Sequence, residues 1–169
     1  MNTYAQNMKL AILTDLQDLV NNGILSSFSS IDYSKLSVLD MNFPSFPSAV
    51  VLPPTISTSD YEDTATNLRT YTWSIVVVTQ SERLTPQSVT SLEGLVDGVL
   101  NEFDLDVTLR GTAMEMMPGV LEAPGPIANG SVTYTVFVVT LKAKQLVPAG
   151  VNAQPFINNP NGFDNAGFS

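Results

Sequence analysis

At 169 residues the chain is long enough for one domain with a core of its own and too short for two comfortable ones. It has no cysteine and no histidine, which excludes a disulfide framework, thiolate chemistry, the commonest general base near neutral pH and the commonest zinc ligand. A formal net charge of -9, from 7 basic against 16 acidic residues, opposes the counterion-releasing phosphate contacts that dominate nucleic-acid affinity, while a hydrophobic content of 44% excludes a wholly disordered chain.

In chain order, the N-terminal stretch MNTYAQNMKLAILTDLQDLV lacks the basic opening of a secretory signal, so synthesis in the cytoplasm is the expectation. No run approaches the roughly eighteen consecutive apolar residues of a membrane helix, and the chain reads as soluble. Residues 4–28 place Met8, Ala11, Ile12, Leu16, Leu19 and Val20 at three- and four-residue spacings, interrupted by Lys9, Asp15 and Asp18. That spacing predicts an amphipathic helix ending between Asn22 and Ser27, where Asn21-Asn22-Gly23 weakens the pattern. NFPSFPSAVVLPP then brackets a short apolar run between prolines, which cannot donate to a ladder; a brief strand near a sheet edge follows.

Residues 55–68, TISTSDYEDTATNL, are polar and acidic without a clear period. RTYTWSIVVVTQ is a long strand with Tyr71, Trp73, Ile75 and Val77 on one face. On its other face Thr70, Thr72 and Ser74 give way to Val76 and Val78, so its later half is expected to be covered on both sides. In SERLTPQSVTSLEGLVDGVLNEFD, Thr85 or Ser88 can cap a second helix, Pro86 suits its first turn, and Val89, Leu92, Leu95, Val96, Val99, Leu100 and Phe103 line a broad stripe. Gly94 and Gly98 lie one turn apart: they either allow close packing or are tolerated exposed glycines.

DVTLRGTAMEMMPG, interrupted by Gly111, predicts a third strand carrying Arg110; EAPGPIANG predicts a loop with a turn at Asn129-Gly130; SVTYTVFVVTLKAKQLV predicts the fourth strand. The expected architecture is α+β, with two helices packed on one face of a four-stranded mixed or antiparallel sheet. Residues 1–147 form a single domain and 148–169 an extended C-terminal arm of low charge. A second apolar face remains, from Val76 and Val78, or from Phe137, Val139 and Leu141, and a partner subunit is its simplest cover.

Chemistry is sparse. Glu102, Asp104 and Asp106 in NEFDLD can be read as oxygen ligands for Mg2+ or Ca2+, but the segment lacks the glycine turn and distal glutamate of a calcium loop, and a solvated helix end is the favoured reading. Arg110 pairs either across a subunit boundary with an acidic loop or, more ordinarily, within the chain. Met114, Met116 and Met117 form either an adaptable contact surface or core. Tyr71 and Tyr134, each within a TYT triplet, suit cross-strand packing better than base stacking, since no basic groove accompanies them. Asn129-Gly130-Ser131 fits a glycosylation pattern but is better read as a turn. No phosphate-binding glycine loop, nucleophile elbow or metal motif is present, and no catalytic residue or cofactor is predicted.

The helix LAILTDLQDLV, the PSAVVLPP strand, the RTYTWSIVVVTQ strand, the LEGLVDGVLNEFD helix and the pair TLRGTAMEMMP and VTYTVFVVTLKAK together resemble the tail terminator, or tail completion, proteins of long-tailed bacteriophages. The likeness spans residues 4–147 and lies in the order and length of elements. It implies a virion subunit that closes into a ring, usually a hexamer, at the head-proximal end of the tail tube, stops tube growth and meets the head connector. An acidic lumen would let DNA pass without adhering. The contact candidates are then the acidic residues around Asp60, Tyr61, Glu62 and Asp63; Arg110; the segment holding Pro118, Val120 and Leu121; and Phe156, Phe163 and Phe168 of the arm. A neck or head-completion subunit is the alternative within the virion, and a small-molecule-binding accessory α/β domain the alternative outside it.

Overall fold

The computed structural model describes residues 2–31, 43–61, 66–80, 86–129 and 132–148. Helix α1 (Tyr4–Asn21) begins with a reciprocal cap: the Gln6 amide N–H donates to the Thr3 hydroxyl at 3.2 Å, and the Thr3 N–H donates to the Gln6 side chain at 2.8 Å. It stops because Gly23 takes a φ of 74°. There the Gly23 N–H reaches the Val20 carbonyl and the Ile24 N–H the Leu19 carbonyl, the paired bonds that close a helix C-terminus.

The remaining elements are β1 (Ser27–Ser30), β2 (Ser48–Val51), β3 (Thr55–Tyr61), β4 (Thr66–Gln80), α2 (Pro86–Asp104), β5 (Glu115–Asn129) and β6 (Val132–Pro148). The class is α+β as expected, but the sheet is mixed and has six strands rather than four, in the order β1-β2-β4-β6-β5 with β3 also on β4. The two extra strands, β1 and β3, are rich in Ser and Thr and carry no apolar alternation. β2 runs antiparallel to β4 from Val78 to Ile75, and β3 runs antiparallel to the same edge over its first half. The two follow one path along the same side of β4, broken at Leu52-Pro53-Pro54, where two prolines remove two donors. β2 is brief, as expected, although parallel β1 lies outside it.

The third strand starts at Glu115, later than expected, because residues 109–111 turn the backbone into the left-handed region: φ is 49° at Leu109, 54° at Arg110 and 77° at Gly111. Arg110 is therefore on a turn and not on a strand. EAPGPIAN, expected as a loop, forms the second half of β5. As the outermost of the described strands, β5 has one side with no described ladder for a proline to break. Asn129 pairs with Val132, and the turn expected at Asn129-Gly130 falls on residues outside the described ones.

Both helices cover one face. α1 lies toward β1 and α2 toward β5. Beneath them Tyr71, Trp73, Ile75 and Val77 of β4 pack with Phe137, Val139, Leu141 and Ala143 of β6 and with Met8, Ile12, Leu16, Leu19, Val99 and Phe103. Each large side chain so buried contributes roughly 1.5–3 kcal/mol. The opposite face corrects the expectation of an apolar surface awaiting a partner. Phe137, Val139 and Leu141 belong to the helix side. Val76 and Val78 point the other way, yet are only 7% and 2% exposed within this one chain. At that end of the face the rings of Phe43, Phe46 and Tyr134 gather with centroids 5.7–6.3 Å apart. Tyr71 and Tyr134 each stand opposite residues on both neighbouring strands, Tyr71 opposite Ala143 and Ile56 and Tyr134 opposite Gln80 and Ile127, though not opposite each other.

A buried acidic cluster and the outer strand

Asp15 falls on the apolar stripe of α1, between Ile12 and Leu19, so the helix carries its carboxylate into the core. One turn on, Asp18 lies on the same side. The last turn of α2 brings Glu102 alongside; one carboxylate oxygen from each of the three lies within 4.8 Å of the others. The chain leaving α2 then supplies the counter-charge. Asp106 accepts the Arg110 amide N–H at 2.7 Å, the Gly111 N–H donates to the Thr108 hydroxyl at 3.2 Å, and the Thr112 hydroxyl donates to the Leu109 carbonyl at 2.6 Å. With Leu109 fully buried, these bonds hold two non-glycine residues in a conformation costing about 1–2 kcal/mol each.

The result aims Arg110 at α1. Its Nε donates to Asp15 Oδ1 at 2.6 Å and a terminal nitrogen donates to Asp18 Oδ2 at 2.5 Å. Burial pushes the Asp15 carboxyl up to about 6 despite the guanidinium, and the nearby Asp106 adds to the rise. Burial, followed by the charge of Asp18, also raises Glu102, and the hydrogen bond to Asp15 raises Arg110. Asp15 Oδ2 and Asp106 Oδ2 are both buried with no hydrogen-bond partner among the described residues. Of the NEFDLD carboxylates, Asp104 faces solvent while Glu102 and Asp106 join residues of α1. Sequence reasoning missed Asp15 and Asp18 as members. The available signal was a charge on the buried stripe at Asp15.

The contact candidates are dispersed. Asp60 and Tyr61 end β3, and Glu62 and Asp63 lie outside the described residues, as do Phe156, Phe163 and Phe168. Arg110 makes its ion pairs within the chain. Pro118 and Val120 sit on β5 opposite Leu141 and Val139, and Leu121 falls where the register shifts between Val120 and Glu122. Val120 is 41% exposed, and Met117, on the other face opposite Lys142, is 62% exposed. Met114 is also exposed, whereas Met116 is core. No protein-family model matches the chain, and a search of curated proteins finds no match.

Proposed function

We propose that this chain is a structural virion subunit that closes into a ring at the head-proximal end of a phage tail tube, ends tube polymerisation and joins the tail to the head connector. The observation that carries the reading is the outermost strand. β5 presents large apolar side chains to solvent on both of its faces, Met117 on one and Val120 on the other. Its prolines and two register shifts blunt continuous strand addition, so contacts there fall to side chains. The opposite side of the sheet ends in β1 and β3, a different surface, which suits head-to-tail contacts that close by rotation. The charge of -9 per copy would line such a ring with acid, allowing DNA to slide through without adhering. The sealed Val76 and Val78 take no part in this reading.

The test mixes the purified full chain with assembled tail tubes and with connector protein, and reads the products by light scattering and electron microscopy. Rings seated on one tube end, with tube growth arrested, are the expected result. Binding to connector alone would reassign the chain to the neck. A chain that remains monomeric and touches neither would overturn the virion reading.

A further inference from the structure

Arg110 holds two carboxylates of different segments at once. Its Nε donates to Asp15 Oδ1 at 2.6 Å, and its own amide N–H donates to Asp106 Oδ1 at 2.7 Å. The second oxygen of each acid, Asp15 Oδ2 and Asp106 Oδ2, is buried with no donor among the described residues, and the two side chains lie within hydrogen-bonding reach of one another. Ionised carboxylates only accept, so two of them in contact leave both oxygens unpaired where solvation is poor. One proton removes both deficits: the protonated acid becomes the donor and the other stays its acceptor. The remaining charges around Asp15 offer no substitute. Asp18 on α1 and Glu102 on α2 are themselves acidic, β1 has no ionisable side chain, and the guanidinium is committed to Asp15 Oδ1 and to Asp18.

We propose that Asp15 and Asp106 share one proton, and that this proton is a pH-sensitive latch holding the turn of residues 106–112 against α1. With the proton in place the turn is fastened to the helix twice, by the carboxyl pair and by Arg110. Without it two buried anions face each other and the guanidinium alone opposes their repulsion. Burial and the contact with Asp106 both raise the Asp15 carboxyl, to about 6, so the proton is held below that pH and lost above it. The turn runs on into β5 at Glu115, which sets the latch at the root of the outermost described strand. It acts within one chain, whether or not rings form.

Carbon-13 NMR of the aspartate side-chain carboxyls in the full chain, followed against pH, reads the sharing, and hydrogen exchange of the Arg110 amide reads the latch. The Asp15 and Asp106 signals are expected to move together in one step near pH 6, and protection of the Arg110 amide to fall at least about tenfold across that step. In Asp106→Asn the new amide donates to Asp15 Oδ2 in place of the proton. The Asp15 step should then drop by about one pH unit or more, with the Arg110 amide protected throughout. An Asp15 signal that moves alone, or that keeps its midpoint in Asp106→Asn, would overturn the shared proton. A joint step with Arg110 protection unchanged would overturn the latch.

Discussion

Arg110 occupies a left-handed backbone so that its guanidinium can reach an aspartate 95 positions earlier. Arg110→Ala removes the positive charge paired with a buried carboxylate. Because the arginine is itself part-exposed, the loss should fall at about 1–3 kcal/mol, below the range for a wholly buried pair, and is measured by urea denaturation. Asp15 makes a second prediction. Its folded-state pKa of about 6 lies above the ordinary 3.8, so the folded chain holds the proton more tightly than the unfolded one. The associated stability is full below pH 3.8 and is lost as pH rises through about 6. The groups facing Asp15 are Arg110, Asp106, Asp18 and Glu102. In chelator-containing buffer, unfolding curves across this window should show that slope, and Asp15→Asn should flatten it.

Among the elements, α2 offers an internal comparison. A Cβ built on Gly94 meets nothing within 4 Å, whereas one on Gly98 meets Ile24 Cγ2 at 3.2 Å. Gly94→Ala should therefore stabilise the chain by about 0.5–1 kcal/mol, and Gly98→Ala should gain less or lose stability because Ile24 must shift. Equal gains in chemical denaturation would show that Ile24 yields freely. The glycine pair could not be sorted by spacing, since their difference depends on the loop after α1. Both helices and the strands β4 and β6 were legible because their apolar periods are long and regular. β1 and β3 were not: strands of 4 and 7 residues, mostly Ser and Thr, take their form from β2 and β4. Residues 106–114 alternate like a strand but turn, because Asp106 and Thr108 bind the backbone locally. The acidic cluster was half visible: a charge on a buried stripe announces a partner, but no local pattern says that the partner is Arg110.

At the scale of the whole molecule, the single chain already buries Val76 and Val78 of its helix-free face, so the proposed ring draws instead on the outer strand, where Met117 and Val120 are exposed. Met117→Glu should abolish ring formation or tube capping in light scattering and microscopy, and leave the Tm of the isolated chain within about 1–2 °C of the parent, since Met117 is exposed. A variant that still assembles would move the contact away from β5. The centre of the molecule has a different character. Each of the 15 residues of β4 has a partner on β6, without a register shift. The pair runs about 50 Å and has a neighbouring strand along much of both sides. Tension applied along that axis would load the cross-links in shear, all at once, instead of peeling them in turn. The chain is thereby built with a tendon, stiffest in the direction in which its longest strands lie.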